Sequence, residues 1–192
     1  MNRPADPASI IASSVLQAWS GRVWRCHHRS RAALNADGSL AGIGGRFNAG
    51  VDSDVKPPFR ALYASIESAA ALLEVVRHLG YRSPDRRAVV ALDDIAMRVL
   101  TQIDIDLQRV FDLRKEPVLR ENLSHASYRQ TQQVAGAAFN RGAEGVLVPS
   151  ATGIDANLVL FVDNLDDSSR IDLLRQIDDL NPVIASVAQG AS

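Results

Sequence analysis

The chain has 192 residues, 46% of them hydrophobic and 22% charged, enough to bury one core and too few to call for a second domain. Lys and Arg balance Asp and Glu to a formal net charge of -1, so no global field favours nucleic acid or an acidic membrane, and an anion site needs a local group of arginines. A single cysteine, Cys26, excludes an internal disulfide, no apolar run approaches the roughly 20 residues that cross a bilayer, and the N-terminal stretch lacks a secretory core; a bacterial-type cytoplasmic protein is expected.

In chain order, Ser9 caps a helix over 9–19 whose Ile11, Val15 and Trp19 recur on one face, and Ser20-Gly21 ends it. Arg22 to Cys26 alternates charged and apolar residues, the period of a strand, with Arg25 on the face of Val23 and Cys26 on that of Trp24. An inward arginine needs an anionic partner because guanidinium stays charged; a solvated arginine on an edge strand is the alternative. His27 to Gly42 is rich in turn formers and reads as loop. The adjacent His27 and His28 point apart on a strand and no third ligand follows at metal-binding spacing, so no metal site is expected. Gly42-Ile43-Gly44-Gly45-Arg46-Phe47-Asn48 sets three glycines before an arginine without matching a dinucleotide or P-loop fingerprint. It is either a plain flexible loop or a backbone that lets a phosphate-bearing ligand come close.

Lys56-Pro57-Pro58 marks an extended linker over 51–60, Ala61 to Ala64 a short strand, and Ser65 the cap of a helix over 66–79. On a helical wheel Ile66, Ala69, Leu72, Leu73, Val76 and Leu79 make the apolar face, while Glu67, Glu74 and His78 fall opposite. Glu74 either pairs with Arg77 or His78 on a solvated face or, flanked by the small Ala70 and Ala71, stands at the edge of a cleft. Residues 88–92 read as a central strand, 98–103 as another and 110–113 as a shorter piece. A helix over 127–141 closes at Gly142, and strands 145–150 and 157–162 form a central hairpin. Ser150, at the end of its strand, is either a turn former after Pro149 or a site residue. Residues 171–180 read as a helix stopped by Pro182, in a tail that is acidic around Asp163, Asp166 and Asp167. With no internal repeat, residues 1–192 form one domain with its core at about 21–162.

The order Trp24-Arg25, Gly44-Gly45-Arg46-Phe47-Asn48, Leu62-Tyr63-Ala64-Ser65, Ala71-Leu72-Leu73-Glu74-Val75, Val148-Pro149-Ser150-Ala151 and Asn157-Leu158-Val159-Leu160 resembles the RES domain family. That family is named for an arginine, a glutamate and a serine, and it supplies the toxins of RES–Xre toxin–antitoxin pairs. The resemblance runs from about Gly21 to Phe161. It implies an α+β fold of mixed, largely antiparallel sheets with flanking helices, similar to ADP-ribosyltransferase toxins, and consumption of NAD⁺ in the bacterial cytoplasm by hydrolysis or phosphorolysis. ADP-ribosyl transfer to a protein, or a catalytically silent domain that only binds a nucleotide or partner, are the alternatives.

Carried over residue by residue, the catalytic set is Glu74, Arg46, Tyr63 and Ser150, and the NAD- or phosphate-binding set is Arg25, Arg46, Tyr63, Ser65, Ser150 and Asn157. Glu74 is expected to accept a bond from a ribose hydroxyl and stabilise positive charge on the ribose, with Arg25 and Arg46 on the pyrophosphate. Tyr63 would orient the nicotinamide ribose side, and Ser150 would position ribose or phosphate oxygens. NAD⁺ enters as substrate, with no cofactor and no metal. The expected partners are inorganic phosphate as an acceptor and an Xre-type antitoxin whose terminal segment plugs the cleft, with no nucleic acid and no membrane. Exposed Trp19 and Ile11 leave room for a homodimer. The stretch between Asn48 and Ala61 and the longer N-terminus and tail depart from compact members.

Overall fold

The computed structural model describes residues 7–81, 95–122 and 128–190. Helix α1 (Pro7–Ser13) stops early: the Ser13 hydroxyl donates to Ser9 O at 3.0 Å and that of Ser14 to Ile10 O at 2.7 Å, the local bonding with which serines compete against further turns. The expected continuation of this helix to Trp19 is corrected, since strand β1 (Leu16–His28) begins three residues after α1 ends. A side-chain spacing that also suits a helix gives way there to a long backbone ladder. Ile11, expected exposed, is buried against Phe111 and Leu113, and Trp19 packs against the interior cluster around Leu107, which removes the basis on which they pointed to a dimer.

Gly44–Gly45 (β2) and Asn48–Ala49 (β3) form a miniature antiparallel hairpin whose turn is Arg46-Phe47. After β4 (Ala61–Ser65), helix α2 (Ser68–Tyr81) starts later than expected, so Ser65 is the last residue of a strand and not a helix cap. The expected strand at 88–92 lies outside the described residues. The two strands expected at 98–103 and 110–113 are one, β5 (Arg98–Asp112). Helices α3 (Pro117–Asn122) and α4 (Arg129–Asn140) follow, then the predicted hairpin of β6 (Gly145–Pro149) and β7 (Ala156–Phe161).

The segment expected to be helical at 171–180 is instead strand β8 (Arg170–Ile177). Residues 100–106 of β5 offer it a partner, and Arg170 meets Asp104 across that ladder at 3.2 Å. Pro182 does not stop a helix but lies in the first turn of one, α5 (Asn181–Gly190), where its missing N–H is no loss.

The sheet runs β1-β4-β7-β6-β5-β8 and closes on itself because β5 also pairs with β1 along nearly its whole length; among the described residues only β5 and β6 are parallel. Its α+β, largely antiparallel architecture is as expected. Period-2 alternation sorts β4, β6 and β7 between two cores. Leu62, Leu147, Leu158 and Leu160 point to one with Val23 and Leu107, while Ala61, Val146, Val148 and Phe161 face α1 and α4 in the other. Phe59 anchors the second, stacked 4.5 Å from Phe139 and edge-on to Phe161 at 5.1 Å. Outside the ring, α2 and α5 bury Ala71, Leu72 and Leu180 against Trp24 and Leu100. Among the described residues no helix is long and apolar enough to cross a membrane.

Candidate active site

The hairpin that carries Arg46 is held by its own Asn48 and by side chains from two other elements. Asn48, fully buried, accepts from Gly45 N at 3.1 Å and from the Tyr63 hydroxyl at 2.8 Å, and donates to Ser39 O at 2.7 Å and Phe59 O at 3.3 Å. Tyr63 Oη accepts in turn from Phe47 N at 2.8 Å, and burial, the largest cause, pushes its phenol well above the ordinary value, so it keeps the proton it donates. From α4, Gln132 Nε2 donates to Ile43 O and Gly45 O at 2.8 Å each, and Thr131 Oγ1 to Arg46 O at 2.6 Å.

The glycines serve this self-packing. A Cβ on Gly44, whose φ is +83°, would sit 2.4 Å from Asn48 O, and one on Gly45 would sit 2.5 Å from Tyr63 Oη. Phe47 drops into the core at 3% exposure, and Arg46 is left on the rim with its guanidinium 4.7 Å from the centre of the Tyr128 ring.

Glu74 is gripped from the opposite side. Its Oε1 accepts from the Ser150 hydroxyl at 2.7 Å, from Ala151 N at 3.0 Å and from Asn157 Nδ2 at 2.8 Å. Asn157 is oriented by Ser65, its neighbour across the β4–β7 ladder, whose hydroxyl donates to Asn157 Oδ1 at 2.7 Å. Ser150 exchanges a bond with Thr152 Oγ1 at 2.7 Å, and Arg77 Nη1 donates to Ala151 O, tying α2 to the loop that supplies the Ala151 amide. Of the two readings of Glu74, the structure therefore takes the cleft. The helix approaches the sheet closely enough for this because Ala70 and Ala71, placed on the polar side of the wheel, are in fact buried.

Between hairpin and helix lies a cavity of about 300 Å³. Arg46, Tyr63, Ser65, Glu74 and Asn157 line it, joined by Trp24, Cys26, Arg77, His78, Arg98 and Tyr128, which sequence reasoning did not assign to a site. Two of the expected site residues lie outside this lining. Ser150, 5% exposed, is not part of the lining; its hydroxyl is spent on Glu74 Oε1. Arg25 is absent from the cavity, because alternation along β1 turns Trp24 and Cys26 toward it and Arg25 away. The Arg25 guanidinium donates to Ala33 O and, at 2.7 Å, to Asn35 O, fastening the loop after β1, and burial, with the like charge of Arg31 second, lowers it to about 10. Its partners are carbonyl dipoles, a third option beside an anion or solvent.

Cys26 behaves as a small apolar group, burial pushing its thiol up to about 11. His27 bonds Thr101 Oγ1 at 2.9 Å, and among the described residues no three His, Cys, Asp or Glu side chains cluster as metal ligands. Thr131 and Gln132 had a legible signal: both are polar residues beside Val134, Ala135 and Ala138 on the face that α4 buries. Arg98 and Tyr128 had none, since only the tertiary fold brings them to the hollow.

The sequence profile of the RES domain family matches residues 22–180. The chain belongs to the RES domain family. A search of curated proteins returns no significant match. Among solved structures, this RES domain is similar to a chain in the crystal structure of the M. tuberculosis MbcT–MbcA toxin–antitoxin complex. The identity is 22%, the TM-score is 0.72, and 97% of this chain and 98% of that one are covered. At that identity the likeness is one of fold.

Proposed function

We propose that this RES domain is the toxin of a bacterial toxin–antitoxin pair and breaks the bond between nicotinamide and ribose in NAD⁺, in the cytoplasm. The observation that carries the reading is the fixed carboxylate on the cavity wall: three donors converge on Glu74 Oε1, and Oε2 takes none of these bonds. As the C–N bond breaks, its electron pair leaves with neutral nicotinamide and the ribose carbon becomes oxocarbenium-like. A carboxylate already aligned stabilises that charge without reorganising. Glu74 accepts a ribose hydroxyl through its remaining lone pairs, and Arg46 offers charge-assisted bonds to a phosphoryl oxygen. The oxygen of water or of inorganic phosphate then bonds to the ribose carbon; water gives ADP-ribose and releases a proton, phosphate gives the phosphorylated sugar.

The cavity, at the lower end of ligand-pocket sizes, takes the nicotinamide nucleotide half and leaves the adenosine half nearer solvent. Fold likeness to a chain of a toxin–antitoxin complex supports a partner of that kind, an Xre-type antitoxin whose terminal segment fills the hollow. The test is incubation of the purified protein with NAD⁺, with and without phosphate, following nicotinamide release and products by mass spectrometry. Free ADP-ribose or its phosphorylated form is expected; ADP-ribose attached to protein makes the enzyme a transferase, and no turnover overturns the reading.

A further inference from the structure

One charged group on the cavity wall is left over by the site described above. Arg98 opens β5 opposite His28, and its Nε is buried without a hydrogen-bond partner. Burying such a donor unsatisfied costs far more than it returns unless a ligand completes it. The other two arginines of the lining have visible engagements: Arg77 donates to Ala151 O, and Arg46 lies on the Tyr128 ring. Among the described residues three guanidinium groups and one carboxylate, Glu74, line the same hollow.

Position adds to charge. From β7, which bears Asn157, the sheet passes through β4 and β1 to β5, so Arg98 stands three strand spacings, about 14 Å, across the sheet from the side chain that orients Glu74, and four residues, about 13 Å, along β5 from Gln102, which is level with it. Between them Cys26, Tyr63 and Ala64 line the cavity.

We infer that Arg98 is a phosphate-binding residue of this cavity, taking a phosphoryl oxygen of a pyrophosphate-bearing nucleotide whose ribose lies at Glu74. The inference rests on the NAD⁺ reading above and assigns to Arg98 the role that Arg25, turned away from the hollow, does not fill. Arg98 lines the cavity, and a planar guanidinium suits a tetrahedral anion, which two of its N–H groups can bond side by side.

The experiment is calorimetric titration of the full chain with ADP-ribose, and with free nicotinamide as a probe without phosphate, for the wild type, Arg98→Gln and Arg98→Lys, alongside NAD⁺ kinetics. Arg98→Gln is expected to weaken ADP-ribose binding about tenfold or more and to flatten its salt dependence, with nicotinamide binding unchanged. KM for NAD⁺ rises by a similar factor while kcat stays within about threefold, and Arg98→Lys, which keeps the charge, recovers part of the loss. ADP-ribose binding to Arg98→Gln as tight as to the wild type overturns the assignment, and so does an equal loss of both probes, which marks a merely structural role. If the wild type binds ADP-ribose in an Arg98-dependent way but releases no nicotinamide, Arg98 keeps its role and the catalytic reading of Glu74 fails. A wild type that does neither sinks both.

Discussion

Two glutamates in this molecule are held by several hydrogen bonds each, and they are held differently. Glu144, fully buried, has donors on both oxygens: Asp166 N at 2.9 Å and the Ser169 hydroxyl at 2.5 Å on Oε1, Gln108 N at 2.6 Å and Arg109 N at 2.9 Å on Oε2, with the Arg109 guanidinium 3.8 Å away. Burial pushes its carboxyl up, yet the bonds from Ser169, Asp166, Arg109 and Gln108 together leave it below the ordinary value. Among the described residues, Glu74 has all its bonds on one oxygen, and a cavity lies beside it. A carboxylate saturated on both sides is a structural knot, here joining β5, β6 and the segment before β8. One clamped by a single oxygen is oriented for something that is still to arrive.

The sharpest way to break this contrast is to neutralise each acid in turn. Glu74→Gln is expected to lower nicotinamide release by about a thousandfold or more while the melting temperature moves by no more than about 2 °C. Glu144→Gln is expected to do the reverse, costing roughly 3 kcal/mol in chemical denaturation with turnover per folded molecule preserved. The Glu144 knot also has a pH signature. Its folded value lies below the ordinary 4.5, so its contribution is complete above that pH and is lost as pH falls below it. Urea midpoints measured between pH 6 and pH 3 are expected to fall more steeply for the wild type than for Glu144→Gln.

Smaller effects come from the two serines that play matching parts. Ser150→Ala removes one of the three donors on Glu74 and is expected to reduce kcat about tenfold with KM little changed, whereas Ser169→Ala costs about 1–2 kcal/mol of stability and no activity. The smallest effect on catalysis is expected from Arg25→Lys: KM for NAD⁺ stays at the wild-type value, and the loop at Ala33 to Asn35 becomes more susceptible to protease. A rise in KM there would return the pyrophosphate to Arg25.

What could be read from the residues, and what could not, divides along the same physical line. The strands β4, β6 and β7 and the helix α4 have local signals with strong tertiary support, and they were legible, as was the face of β1 that carries Trp24 and Cys26. The spacing of Ile11, Val15 and Trp19 and the sequence of 170–177 suit a helix by themselves. The part of the first from Leu16 on and the second become strands because β5 pairs with each over a long ladder, a partner that no window of local sequence contains. At the site, Glu74, Arg46, Tyr63, Ser65 and Asn157 were named and are brought together around one hollow. The reasons differ from those expected: Gly44 and Gly45 make room for Tyr63 and Asn48 rather than for a ligand, and Ser65 orients an asparagine instead of capping a helix. That Arg25 fastens a loop outside the hollow was not legible. Backbone carbonyls that satisfy a guanidinium leave no trace in a string of side-chain letters.

The grip on Glu74 has a temporal consequence. Ser150 and Asn157 come 76 and 83 positions after it in the chain. At ordinary translation speeds, a ribosome that has just added Glu74 needs about 4 to 16 s more to add its clamps. A nascent polypeptide stalled or released in that interval carries the acid but nothing to aim it. For a protein proposed to attack a coenzyme of its own host, late assembly of this kind makes the incomplete product innocuous and gives a neutralising partner time to be present when the finished one appears.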